Sequence, residues 1–439
     1  MRTNLAVKHP AEHTHEGAQA ARITSEQELR RTVAACLLWE DGFYESGESI
    51  ADRIKALVPK CRTSFVAACA FEARTKMKLR HVPLLLAREM ARHDGHRALV
   101  GKLLPSIIQR ADELAEFLAI YWKDKRQPLS KQVKIGLAAA FGQFNEYALA
   151  KYNRYGAVKL RDVLFLCHAK PKDDEQAALW KRLVDGKLVT PDTWEVALSG
   201  GADKAATFAR LMAERQLGAL AFLRNLRNMS EAGVDAGVVQ AYGQAVDIAR
   251  VLPFRFIAAA RAVPAWEHII EPMMLRACEG REKLPGKTVV LLDVSGSMDA
   301  PISAKSDLQR LDAACGVAIL LRELCADVEV MTFSTQVVQV PARRGFALRD
   351  AIVTSQHHGG TYLGAAVTAI NSQREYDRLV VLTDEQSADK VPPPKAKGYV
   401  INVASNKNGI GYGSWTHIDG WSEACIDYIQ ECEKQSTAQ

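Results

Sequence analysis

No stretch of this 439-residue chain approaches the roughly 18 to 20 uninterrupted apolar residues that a membrane-spanning helix needs. The first sixteen residues are polar and lack the apolar core of a signal peptide, so the expectation is a soluble chain kept in the cytoplasm. Paired cysteines are missing as well. The nine cysteines stand at positions 36, 61, 69, 167, 278, 315, 325, 425 and 432, and none forms a CxxC pair. A zinc ribbon or thioredoxin-like motif needs close pairs, so these read as small buried hydrophobes in a reducing compartment. No heptad repeat marks a dimer seam, and the expected state is a monomer. With 48% hydrophobic and 25% charged residues, the composition excludes a disordered or fibrous chain, and the length suits two or three domains.

Charge is present, but unevenly. Residues 285–439 carry 14 Lys and Arg against 18 Asp and Glu, leaving 43 against 33 for residues 1–284, although the whole chain is only +6. The first part is a candidate polyanion binder, and the alternative is a solvated surface rich in lysine and arginine.

Periodicity divides the chain in the same place. From about Ser25 to Ala277 apolar residues recur at three- and four-residue spacing, as in Leu103, Leu104, Ile107, Ile108, Ala111 and Leu114. Breaks at Pro59, Pro83, Gly95, Pro128, Pro171, Pro191, Gly200–Gly201, Gly233, Pro253 and Pro264 separate about fourteen expected helices. Helix pairs following one another without a strand layer predict a HEAT-like α-solenoid over 1–283, with a globular bundle as the alternative. After Glu282–Gly286 the pattern becomes α/β. Strands are expected at Thr288–Leu292, Val328–Phe333, Val337–Val340, Arg378–Leu382 and Tyr399–Val403, with helices near 307–325, 363–372 and 422–433. The reading for 284–439 is a doubly wound, Rossmann-like domain, whose ligands sit beyond the carboxyl ends of the strands.

Gly280–Thr288 (GREKLPGKT) nearly spells a phosphate-binding loop. Its spacing is off by one residue, and it follows a helix and opens a strand, where such a loop does the reverse. It is read as a linker with a turn, so nucleotide hydrolysis through Gly286–Thr288 is disfavoured. Ser295 and Ser297 do not sit in GxSxG, and no catalytic constellation is visible, so a non-enzymatic protein is expected. His93–His96 and His13–His15 lack a third ligand at metal-binding spacing.

The strongest local signal is Val289–Met298 (VVLLDVSGSM), a buried strand ending in an Asp-x-Ser-x-Ser turn. Thr361 in the Gly359-Gly-Thr361 loop and Asp384 at the end of Val380–Asp384 complete the set. Hard oxygen ligands carrying little charge suit a hydrated divalent cation, Mg²⁺ first. The pattern resembles the metal-ion-dependent adhesion site of von Willebrand factor A domains. That resemblance implies hydroxyl ligands from Ser295, Ser297 and Thr361, with Asp293 and Asp384 bound directly or through water, and a last position for a partner's acidic group. A hydrogen-bonded turn without metal is the alternative.

In the helical part, Tyr147–Gly156 (YALAKYNRYG), Lys159–Pro171 (KLRDVLFLCHAKP) and Leu220–Met229 (LAFLRNLRNM) resemble the TROVE module of the Ro autoantigen family, in its bacterial or phage-type form. A helical module followed by an A domain is that family's order. The resemblance implies a ring of HEAT-like repeats that binds small non-coding Y-like RNA on a basic outer surface. It also implies that single-stranded 3′ ends of misfolded RNAs enter the central hole, for RNA quality control, decay or maturation. A protein partner at the metal site, with an exoribonuclease as the candidate, is a further expectation. Lys151 and His168 fall on family positions that contact RNA. A further basic position falls on Tyr155, with Arg154 one residue earlier, and a tyrosine there can stack on a base. The residues agree with this independently: Lys151, Arg154, Lys159, Arg161, His168, Lys170 and Lys172 crowd one segment with Tyr152 and Tyr155 interleaved. A second basic run, Arg74, Lys76, Lys78, Arg80, His81, Arg88 and Arg92, is either a further part of the RNA path or a solvated helix face. The competing class is a metal-dependent protein-interaction scaffold whose A domain captures an acidic residue of a partner.

Overall fold

The computed structural model describes residues 24–35, 47–153, 156–249, 251, 254–302, 308–403, 414–419 and 423–437. They belong to two compact units, one of residues 24–37 and 47–203, the other built on residues 204–439.

The first unit is helical throughout its described residues. Helices Thr63–Thr75, His81–Arg92, Arg97–Ile107, Asp112–Tyr121, Lys131–Phe141 and Leu160–Cys167 each pack on elements one or two places along the chain, as stacked helix pairs do. Their apolar faces share one continuous core from Leu29 to Leu183. Helix starts are fixed by side chains that take up orphan amides: Ser130 caps Val133, Asn145 caps Ala148, Asp173 caps Gln176 and Thr193 caps Val196. Between Arg97–Ile107 and Lys131–Phe141 the backbones approach closely. A Cβ on Gly136 would lie 2.9 Å from the Leu104 side chain, so only glycine lets these helices pack there.

The four arginines of the second basic run are paired with acids of the same unit. Arg74 is buried and gives hydrogen bonds to the Ile107 carbonyl at 2.9 Å and to Glu113 at 2.8 Å. Arg80 reaches Asp112, Glu113 and Glu116, while Arg88 and Arg92 converge on Asp124. These arginines hold helices together.

The second unit begins with five helices, Lys204–Ala213, Ala219–Glu231, Ala236–Ala245, Phe254–Ala262 and Glu267–Cys278. The described residues up to Cys278 thus hold sixteen α-helices where about fourteen were expected. Glu146–Tyr152 and Trp194–Ser199, at seven and six residues, are too short to display an apolar period. There follow strands β1 (Leu284–Asp293), β2 (Cys325–Phe333), β3 (Val337–Gln339), β4 (Arg378–Thr383), β5 (Lys397–Asn402) and β6 (Trp415–Asp419). They form one sheet in the order β3-β2-β1-β4-β5-β6, parallel except for β3. All five expected strands are present. β6 and the helix Gly345–Val353 went unread, since each is short and β6 is interrupted by polar Thr416 and His417.

The change from helices to strands comes at Leu284, as expected, yet packing draws its boundary at 203/204. The reason is the helix Arg310–Leu324, eleven of whose residues are buried. It packs on β1, β2 and β4, and also on Phe254–Ala262 and Glu267–Cys278. Arg349 on the helix Gly345–Val353 adds an ion pair to Glu267 at 3.1 Å, and Glu271 accepts the Phe346 amide at 2.6 Å.

Gly286–Thr288 lies inside β1, at the irregularity between Leu284 and Lys287. Gly286 takes a positive φ of 79°, and the Lys287 amide donates to Asp377 at 2.6 Å. The segment opens a strand and not a helix, so it offers no helix N-terminus to a phosphate. No helix among the described residues is long and apolar enough to cross a membrane.

The buried Arg74–Glu113 pair yields a stability prediction. Glu113→Gln leaves a buried guanidinium without its counter-charge and should cost about 3–5 kcal/mol. Urea unfolding monitored by circular dichroism measures it, and a loss below about 1 kcal/mol would contradict the assignment.

Candidate metal site and basic surface

The strand order sets where ligand chemistry can gather. β1 is central, the chain leaves it toward β2 on one side and returns as β4 on the other, and in such sheets ligands bind beyond the carboxyl ends at this reversal. Asp293 ends β1 and Asp384 follows β4, so two carboxylates distant in sequence meet at this switch point.

Asp293 has no exposed surface. It accepts the Ser295 amide at 2.9 Å and the Thr383 hydroxyl at 2.7 Å, one bond to each oxygen. Burial nonetheless pushes its carboxyl up to about 6, with neighbouring Asp384 adding to the shift and the two donors opposing it. A cation beside it would relieve that cost. The Ser295 and Ser297 hydroxyl oxygens lie 3.2 Å apart, close to the edge of about 3 Å between adjacent ligands of an octahedral ion bound at about 2.1 Å. The donor set therefore fits a hydrated Mg²⁺-like ion.

Thr361 is held in place through its backbone. The Ala388 amide donates to its carbonyl at 2.8 Å, and the preceding loop is tied down by Gly296 donating to the Gly359 carbonyl at 3.1 Å. Ser334, just past β2, accepts the Gly359 amide at 2.8 Å and donates to the Gly360 carbonyl at 3.1 Å. Asp389 then caps the helix Leu363–Gln373 from outside it, accepting the Gly364 and Ala365 amides at 2.7 Å each. Asp384 is fully buried and pairs with Arg310 at 2.7 Å. The next residue, Glu385, has a φ of 62° and pairs with His417 of β6 at 2.9 Å.

In the first unit, the helix Leu160–Cys167 exposes Arg161 and Phe165, spaced i, i+4, and exposed His168 closes it in the left-handed conformation with a φ of 54°. Phe165 is 60% exposed, unusual for so large an apolar side chain. Lys170 and Lys172 continue outward, and Lys159 is half-buried at the start of the helix. Lys151 lies on the helix Glu146–Tyr152 with its ammonium 5.7 Å from the Tyr147 ring, which is 49% exposed. Tyr152, expected as an interleaved stacking residue, instead packs on the core with the Arg110 guanidinium 4.5 Å over its ring. Arg154 and Tyr155 lie outside the described residues, as do His13 and His15. Among the described residues no group of three or more His, Cys, Asp and Glu could hold a metal, which leaves His93 and His96 without a site.

Comparison with known families bears on both halves. The family model for the TROVE domain matches residues 180–283, and that for the Ro60 von Willebrand A domain matches residues 287–397. The chain is a Ro-like protein. No curated protein matches its sequence. The crystal structure of the Deinococcus radiodurans Ro (RSR) protein is similar in fold, with a TM-score of 0.66 at 20% identity, covering 92% of this chain and 98% of that one. Asp293, Ser295, Ser297, Thr361 and Asp384 all lie within the segment matched as the Ro60 A domain. Of the TROVE-like stretches, Leu220–Met229 lies within the matched segment, whereas Lys151 to Lys170 precede it.

Sequence reasoning missed Thr383, Ser334, Asp389, Arg310 and the Glu385–His417 pair. Thr383 carried a readable signal, a hydroxyl beside a strand-end aspartate. The others act across 25 or more residues and leave no local pattern. In this Ro-like fold, Asp389→Ala should cost about 1–2 kcal/mol by uncapping the helix that follows Thr361. Chemical denaturation tests this, and an unchanged midpoint would show the cap to be idle.

Proposed function

We propose that this Ro-like chain is a non-enzymatic RNA-binding protein. It holds small, Y-like non-coding RNA on the basic surface around Lys151, Arg154, Tyr155, Lys159, Arg161, His168 and Lys170, and takes single-stranded 3′ ends of misfolded RNAs. The observation that carries the reading is that Arg161, Phe165 and His168 are all exposed, whereas Arg74, Arg80, Arg88 and Arg92 of the second basic run are paired with acids. A cation and an aromatic face one turn apart on a helix, with an imidazole at the helix end, suit a phosphate backbone with a base beside it. The cytoplasm, a monomeric state and a role in RNA quality control with an exoribonuclease partner follow from the same reading.

The A-domain site is proposed to hold Mg²⁺ through Ser295, Ser297 and Thr361, with Asp293 and Asp384 supplying charge directly or through water. The bound ion would offer one position to an acidic group. A second reading, capture of a protein partner's carboxylate there, is favoured by Tyr362, which is 45% exposed beside buried Thr361.

A filter-binding titration with a structured RNA bearing a single-stranded 3′ tail, against the same RNA blunt-ended, tests the main reading. Tailed RNA should bind preferentially and weaken steeply with salt. Lys151→Ala together with Arg161→Ala should flatten the slope of log K against log salt by about 0.7 for each phosphate that is no longer neutralised. Phe165→Ala should weaken binding about 5- to 150-fold with the slope unchanged, since stacking carries no charge. Absence of binding to either RNA would leave the protein-interaction scaffold as the better account.

A further inference from the structure

Arg310 is the first residue of the helix Arg310–Leu324, where the positive end of a fifteen-residue helix dipole disfavours a cation. Its position is compensated from the metal site. One guanidinium nitrogen lies 2.7 Å from Oδ2 of buried Asp384 and 3.3 Å from the Ser297 carbonyl oxygen. The guanidinium therefore bridges the end of β4 and the turn after β1, the two segments that a cation at this site would itself join.

A divalent ion and a guanidinium cannot share that place without cost. Even at the dielectric constant of water, a singly and a doubly charged cation about 5 Å apart repel enough to weaken binding more than about tenfold. We propose that Arg310 is a resident counter-cation that competes with the divalent ion for Asp384. The arginine keeps the site in shape without metal, and the ion binds tightly only when Arg310 withdraws. This inference rests on the metal reading given above. It explains how a carboxylate with no exposed surface is accommodated when no ion is bound: Arg310 supplies the neutralising charge that burial demands.

The test is Mn²⁺ titration of the full chain by calorimetry, with melting temperature measured in parallel. Arg310→Met should bind Mn²⁺ at least about tenfold more tightly than the unmodified protein. Without Mn²⁺ it should melt at lower temperature, and with saturating Mn²⁺ it should recover. Arg310→Lys retains the charge and should stay close to the unmodified protein. Arg310→Gln keeps an N–H donor for Asp384 without the charge, and serves if Arg310→Met does not fold. Equal or weaker Mn²⁺ binding by the neutral variants, with binding intact in the unmodified protein, overturns the competition and leaves the metal reading standing. No Mn²⁺ binding by any variant overturns both.

Discussion

A carboxylate shut away from water must be given donors or a cation, and the α/β half of this protein is organised around two of them. Asp293 ends β1 with no exposed surface, so its oxygens take the Ser295 amide and the Thr383 hydroxyl. That second bond ties the end of β1 to the end of β4 and aligns the two segments that carry the site. Asp384 meets the same demand with Arg310. The helix that brings Arg310 is also the buried element joining the sheet to the helices before it, so the site and the packing of this unit depend on one another.

The same electrostatics separates the two basic stretches of the helical unit. Arg74, Arg80, Arg88 and Arg92 face the acids of 112–124, and their charge is spent inside the fold. Arg161 and Phe165 face outward on the far side of a helix whose opposite face, Leu160, Val163, Leu164 and Cys167, is buried, and His168 is exposed at its C-terminal cap. The number of basic residues in a window therefore says little. What counts is whether the helices stacked beside it carry acids at the matching level.

The Gly286–Thr288 segment, close in sequence to a phosphate loop, has a structural place in the fold. Its Lys287 amide donates to Asp377, and it serves to start the central strand. Chemistry in this half is concentrated at the opposite, carboxyl end of that strand. There hydroxyls and carboxylates gather, and a loop clamped by Ser334 and Asp389 fixes the place of Thr361.

The sequence by itself determined the helical and α/β halves and five of the six strands, and it placed Asp293 and Asp384 at or beside strand ends. Each is written in local periodicity or in short-range spacing, which a single chain displays directly. Tertiary structure alone decided which arginines are spent on ion pairs, that Tyr152 packs half-buried against the core while Phe165 is exposed, and that Arg310 stands against Asp384. It also set the packing boundary at 203/204 in place of the helix-to-strand junction. These outcomes depend on charges and faces brought together from 25 to more than 70 residues apart, and no spacing rule along the chain encodes such meetings.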